Sequence, residues 1–142
     1  MLLSQTSKYA IRAVMHLTDA DSDEPQLCKD IARELEVSAS FLAKILSDLV
    51  RHHLLVSFRG RGGGFSLARP AGGIKLLDVV EAAGSPLDEA CVLGLPKCSE
   101  ESPCPVHCEW RSIKTDIIHL LSAKSVQQIV DKAAGKRSAT VF

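Results

Sequence analysis

The chain is 142 residues long, 46% hydrophobic and 24% charged, with 17 basic side chains balancing 17 acidic ones. That length fits one compact unit with at most a small appendage, and the apolar content supplies a core, which excludes disorder as the main state. No run nears the roughly 20 apolar residues of a membrane span, and Met1 to Gln5 lacks a charged-then-apolar leader, so the expected location is cytoplasmic.

From Ser4 to Thr18, Ala10, Ala13, Val14 and Leu17 recur at helical spacing, and the acidic stretch from Asp19 to Pro25 ends the period. A short second helix from Leu27 to Leu35 places Ile31 and Leu35 on one face beside Ala32. Glu36, Val37 and Ser38 make a turn. Ser38 is a good N-cap for a third helix to Arg51, in which Leu42, Ile45, Leu46 and Leu49 form an apolar face opposite Ser40, Lys44 and Ser47. Two β-prone runs follow, Leu54 to Phe58 and Phe65 to Arg69, joined by the hairpin turn Arg59-Gly60-Arg61-Gly62-Gly63-Gly64.

Pro70 to Gly73 breaks the chain, and Leu76, Leu77, Val80 and Ala83 predict a fourth helix ended by Gly84-Ser85-Pro86. From Leu87 to Pro103 there is no periodicity, and a loop of that length in a compact domain argues for function. A long helix starts at Pro105, with Val106, Trp110, Ile113, Ile117 and Leu120 or Leu121 in a stripe that reads equally as a dimer seam or as internal core. Ser125-Val126-Gln127-Gln128 fits a capping box for a last helix through Ala133, and Gly135 to Phe142 reads as a loose tail. The expected fold is mainly α with a small β-hairpin, a winged helix-turn-helix plus a long dimerisation helix. Residues 1–73 form the DNA-binding domain, 74–134 the cysteine loop and dimerisation helices, and 135–142 a flexible tail.

Two short helices, a tight turn and an immediate basic hairpin are, in that order, the parts of a winged helix-turn-helix. Between Arg51 and Pro70 the charged residues are Arg51, Arg59, Arg61 and Arg69, whereas Asp78 to Glu109 sets seven acids against Lys97. The third helix presents Ser38, Ser40, Phe41 and Lys44 to base edges and phosphates, Phe41 alternatively being core. Arg59 and Arg61 occupy the wing tip, where guanidinium suits phosphate or the minor groove. Lys8 and Arg12 are further candidates for backbone contact.

Four of the five cysteines gather as Cys91, Cys98, Cys104 and Cys108, with His107 among them; Cys28 stands apart and reads as a buried small hydrophobe. Six residues separate Cys91 from Cys98 and five separate Cys98 from Cys104, a spacing that suits iron–sulfur ligation better than a zinc finger. Cys104 pairs at helical spacing with either His107 or Cys108, so spacing leaves the fourth ligand open between them.

The motifs Ser7-Lys8-Tyr9-Ala10, Leu27 to Ala32 with Val37-Ser38 and Phe41-Leu42, the wing Arg59-Gly60-Arg61-Gly62-Gly63-Gly64-Phe65-Ser66-Leu67, and the cysteine loop leading to Trp110 resemble the IscR/NsrR-type family of bacterial winged-helix regulators, also called Rrf-two. The resemblance spans nearly the whole chain. It implies a homodimer through the long helix, a palindromic double-stranded operator and a cluster held by Cys91, Cys98 and Cys104. The nitric-oxide-sensing branch offers an aspartate where this chain has Lys8. His107, three positions after Cys104, matches the branch that senses cluster status, which favours a 2Fe-2S centre over 4Fe-4S on Cys91, Cys98, Cys104 and His107. The long gap from Cys91 to Cys98 and the extra Cys108 depart from that pattern, and Cys108 stays as the alternative ligand.

The function so implied is a homodimeric transcription regulator, a repressor by this reading, whose operator affinity follows cluster or iron status, redox conditions or nitric oxide. The alternatives are a cluster-free thiol/disulfide switch on the same DNA-binding module, and an iron–sulfur carrier whose wing is incidental. No nucleophile motif and no phosphate-binding glycine pattern before a helix supports an enzyme, and neither a small-molecule substrate nor a membrane partner is expected.

Overall fold

The computed structural model describes residues 3–20, 24–84, 91–95 and 99–139. Its elements are α1 (Gln5–Asp19), α2 (Cys28–Leu35), α3 (Ala39–Arg51), β1 (Leu55–Phe58), β2 (Gly64–Leu67), a 3-10 turn (Ala71–Gly73), α4 (Leu76–Ala82), α5 (His107–Ala123) and α6 (Val126–Ala139). The fold is mainly helical with one antiparallel two-stranded hairpin, as the periodicity predicts.

The helices start where their caps are. The Ser4 hydroxyl accepts from the Ser7 N–H at 3.1 Å ahead of α1, and the Ser38 hydroxyl accepts from the Phe41 N–H at 3.2 Å ahead of α3. At α6 the reciprocal pair expected from Ser-Val-Gln-Gln is formed: the Ser125 N–H donates to Gln128 Oε1 at 2.9 Å, and the Gln128 N–H to Ser125 Oγ at 3.2 Å. Between α2 and α3 the chain turns through Glu36 in the left-handed conformation (φ 58°), with the Val37 N–H donating to Ala32 O. Nothing in the sequence flags that residue, because the position usually falls to glycine.

One continuous core joins the apolar faces of α1 (Ala10, Ala13, Val14), α2 (Ile31, Leu35) and α3 (Leu42, Ile45, Leu46, Leu49) to Leu54, Leu55, Ile74, Val79 and Val126. A smaller cluster, Val80 with Leu121 and the partly buried Leu76, Leu77, Ile117 and Ile118, seats α5 on α4. The Leu76 N–H donates to Lys124 O and the Val126 N–H to Ile74 O, pinning the α5–α6 junction to the entry of α4.

The hairpin pairs Leu55 with Leu67 and Phe58 with Gly64, and Gln26 adds a third edge: its N–H donates to Phe65 O at 2.9 Å and its C=O accepts from the Phe65 N–H at 2.8 Å. The sequence reading lacks that bridge, since one residue in a loop carries no period. It also explains Gly64, which has φ 137° and presses on the Gln26 backbone so closely that a Cβ would lie 2.3 Å from Gln26 O.

The hairpin strands differ from expectation by one or two residues at their ends, and two helix boundaries differ as well. The fifth helix begins at His107 and not at Pro105, because residues 104–106 form the turn that enters it, the His107 N–H donating to Cys104 O at 3.0 Å. The last helix does not stop near Ala133 before a loose tail; it runs through Gly135 to Ala139, a helical glycine costing only about 1 kcal/mol. Residues 140–142, the end of the expected tail, lie outside the described residues, as does much of the acidic loop after α1 and of the cysteine loop.

Gly64→Ala should lower stability by about 3 kcal/mol, since both the contact with Gln26 and the backbone angle oppose a side chain. Gly72→Ala, with open space around it, should change stability by less than about 0.5 kcal/mol. Urea unfolding followed by circular dichroism measures both, and equal midpoints would contradict the Gln26 contact.

Candidate functional site

The buried leucine face of α3 turns its other face outward, and all four residues expected to read DNA from it, Ser38, Ser40, Phe41 and Lys44, are exposed. Phe41 is 39% exposed and is not core; its ring meets Tyr9 of α1 edge to face, centroids 5.7 Å apart at 89°. The Arg12 guanidinium lies over the same Tyr9 ring at 5.1 Å. Arg12, Tyr9 and Phe41 therefore form a row that braces the start of α3 against α1. Tyr9 is the functional neighbour the residue-by-residue reading missed; an aromatic one turn before Arg12 was the available signal.

The four arginines of the basic segment separate into two pairs. Arg51 is held by Asp48 at 2.7 Å and Arg69 by Asp78 at 3.4 Å, so both are locally neutralised. Arg59 and Arg61 are exposed at the hairpin turn, and neither forms an ion pair among the described residues. The net local charge open to an anion thus sits at the wing tip and, through Lys44, on α3.

At the other end of the chain, Cys104 is buried and His107 half-buried one turn later, with the Nε2 atom of the His107 ring closed off from solvent. Cys108 is exposed in a shallow groove of α5 beside Arg111 and Thr115. Cys91 is partly buried at the head of a turn in which the Gly94 N–H donates to Cys91 O, and Cys98 lies outside the described residues. Among the described residues no group of three or more His, Cys, Asp or Glu side chains stands close enough to hold a metal ion. The donor chemistry nevertheless suits an iron–sulfur group, since a shielded thiol and a shielded imidazole nitrogen lie one turn apart at the entry of α5. Glu100, between Cys98 and Cys104, forms an ion pair with Arg111 that ties this stretch of the loop to α5.

The stripe on α5 divides. Trp110 and Leu121 are buried and Ile117 packs on α4, whereas Val106, Ile113 and Leu120, seven residues apart, are exposed, the latter two at 53% and 55%. The internal-core reading thus holds for Trp110, Ile117 and Leu121, while Val106, Ile113 and Leu120 face outward. Among the described residues no helix is long and apolar enough to cross a membrane.

A family model described as "Rrf2: Iron-dependent Transcriptional regulator" matches residues 3–132. An HTH-type transcriptional regulator of Aquifex aeolicus is 31% identical over 134 residues, 92% of each chain. The HTH-type transcriptional regulator IscR of Xenorhabdus nematophila is 29% identical over 130 residues, covering 92% of this chain and 79% of that protein. Among solved structures, T. potens IscR superposes with a TM-score of 0.75 at 21% identity, covering 99% of this chain and 92% of that one. CymR, described as the global cysteine regulator of B. subtilis, gives the same TM-score at 20% identity over 92% and 96% of the chains. At those identities the two structures establish the winged-helix fold alone.

Burial pushes the Cys28 thiol above its ordinary range; its Sγ donates to Ala39 O at 3.4 Å at the helix-turn-helix junction, so Cys28 is partly rather than fully buried. A raised pKa leaves less thiolate at any given pH, so iodoacetamide at mildly alkaline pH should label exposed Cys108 well before Cys28. Peptide mass spectrometry on a time course checks the order, and Cys28 labelling first would contradict it.

Proposed function

The chain belongs to the Rrf2 family, DNA-binding transcription regulators and not enzymes, and from that premise we propose a cytoplasmic homodimer, a repressor in its basal action, whose grip on a palindromic operator is set by an iron–sulfur cluster. The observation that carries the reading is a shared helix: α5 opens at His107, three residues after Cys104, and the exposed Val106, Ile113 and Leu120 lie at its cap and along it. A change at the ligands is thereby a change at the start of the dimer seam.

On DNA, residues 1–73 do the reading. The Ser38-capped start of α3 enters the major groove with Ser40, Phe41 and Lys44, and Arg59 and Arg61 reach phosphate or the minor groove from the wing. In residues 74–134, Cys91, Cys98, Cys104 and His107 would hold the cluster, 2Fe-2S in preference to 4Fe-4S, with Cys108 as the alternative fourth ligand. When bound, such a group supplies a reversible cross-link that depends on iron and redox conditions. Cys91, Cys98 and Cys104 would share that cross-link on the segment joining α4 to α5, and its presence would bear on the distance between the two recognition helices, which must match about one turn of DNA, roughly 34 Å. The coupling required is of the usual allosteric size, about 1–3 kcal/mol.

Exposed Cys108 supports a second reading, a thiol switch without a cluster, in which oxidation links Cys108 to a loop thiol or to its counterpart in the partner. Anaerobic iron and sulfide analysis with Mössbauer spectra of wild type, His107→Ala and Cys108→Ala separates the two. Coloured protein with stoichiometric iron and sulfide, bleached several-fold faster in air by His107→Ala than by Cys108→Ala, is the expected result. Colourless, iron-free protein whose DNA affinity follows its thiol count would replace the cluster reading with the thiol one.

The seam makes its own prediction. Ile113→Ser combined with Leu120→Ser removes two exposed apolar contacts of the partner helix and should weaken self-association at least a hundredfold, on the order of 1.5 kcal/mol or more per side chain. Sedimentation equilibrium should show a dimer for wild type and the 15.3 kDa monomer for the variant; an unchanged dimer would place the seam elsewhere.

A further inference from the structure

Phe58 has no role in the assignments above and yet is placed as if it had one. It closes β1 at the wing tip and is 51% exposed; Val56, two residues earlier and so on the same face of the strand, is exposed too. Their partners across the hairpin are Gly64 and Ser66, too small to cover them. Gly64 has no freedom to grow, since the Gln26 backbone fills the place of a side chain. A large apolar ring is therefore held outward on a paired strand, immediately before Arg59 and three residues before Arg61.

The charge around the ring selects what can cover it. An apolar protein surface gains nothing from two flanking guanidinium groups, and the two arginines form no ion pair among the described residues. The DNA minor groove matches both features, offering negative potential along its walls and apolar sugar and base edges within. Arginine side chains favour that groove, and apolar wedges from neighbouring positions of minor-groove proteins pack on its sugars and base steps.

We propose that Phe58 is a third DNA-contacting residue of the wing, its ring packed against the sugar and base edges of the minor groove where Arg59 and Arg61 enter. The inference rests on the DNA-binding reading of the wing and adds to it an apolar contact, sensitive to groove width and step flexibility, beside two electrostatic ones. The two kinds of contact respond differently to salt. Phosphate contacts release counterions, so losing one flattens the salt dependence of binding, whereas losing an apolar contact lowers affinity equally at every salt concentration.

The test uses the full chain, purified anaerobically, and a fluorescent duplex recovered by selection from a random-sequence pool with the wild-type protein. Binding is followed by anisotropy across a potassium chloride series. Phe58→Ala should weaken binding roughly tenfold at each concentration with an unchanged slope of log K against log salt, and Phe58→Leu should restore most of the loss. Arg59→Ala combined with Arg61→Ala should lower both affinity and slope. Wild-type affinity in Phe58→Ala, beside a flattened slope in the arginine variant, overturns this inference and leaves the wing reading intact. A flattened slope in Phe58→Ala also overturns it, because the ring then only positions the arginines. If the arginine variant binds as wild type, the wing reading fails and the inference with it. Should Phe58→Ala lose its helical circular dichroism, Phe58→Gln carries the same expectations.

Discussion

The whole arrangement depends on the burial of one face of α3. Leu42, Ile45, Leu46 and Leu49 are all closed off from solvent in the same core as Ala10, Ala13 and Val14 of α1 and Ile31 of α2. Each such side chain contributes roughly 1.5–3 kcal/mol on burial, enough that the helix has a single rotational setting about its axis. That setting fixes which residues face outward: Ser40, Phe41 and Lys44 are exposed because the leucines are not. The small alanines of α1 let the two helices approach closely, and Tyr9 then reaches Phe41 to brace the exposed end. The reading surface is the remainder left by the packing surface.

What was legible in the sequence follows from this. Periods, caps and the glycine-rich turn are local signals, and they gave α1 to α4, the hairpin and the capping box of α6 with boundaries off by a few residues. The readings that needed correction depended on partners distant in sequence or on the absence of a strong signal. Gln26 joins the hairpin across the length of α2 and α3, Tyr9 meets Phe41 across the α1–α3 contact, and Glu36 takes a left-handed turn usually marked by glycine. The helix continues through Gly135, where a loose tail is expected, because the cost of a glycine in a helix is small beside the packing of Val126 and Val130 in the core. For the candidate site, residue types and spacing named the donors, while their mutual placement depends on a loop without periodicity, which no local rule can fold.

Charge is divided along the chain in the same sense as function. Of the basic segment, the two arginines nearest the helical body, Arg51 and Arg69, are paired with Asp48 and Asp78, and the two at the wing tip carry no such pair among the described residues. Surface pairs of this kind add little stability, so their effect is mainly on the field: they cancel positive charge near the body and leave it concentrated at the tip. The acid-rich segment from Asp78 to Glu109 begins within α4, and its Glu100 pairs at the surface with Arg111 of α5. Such a distribution leaves the wing tip, with Lys44 of α3, as the part of this basic segment open to a polyanion.

The proposed coupling between the two ends is short in structural terms. α5 is fixed at its C-terminal end, where the backbone around Lys124 and Val126 bonds to Ile74 and Leu76 at the entry of α4, and α4 packs in turn on α1 and α3. The proposed ligands Cys104 and His107 sit at the opposite end, about 25 Å away along a helix of 17 residues rising 1.5 Å each. A rotation of that helix too small to disturb its anchored end is multiplied over this length at Cys104 and His107, and equally a modest displacement imposed there becomes a small, stiff torque at α4. The exposed Val106, Ile113 and Leu120 lie along the same lever, so in the proposed dimer the displacement would reach the partner as well as α4. Two recognition helices need to shift relative to each other by only a fraction of a helical turn of DNA for one half-site to lose register, which is why a coupling energy of ordinary allosteric size suffices and no rearrangement of the core is required.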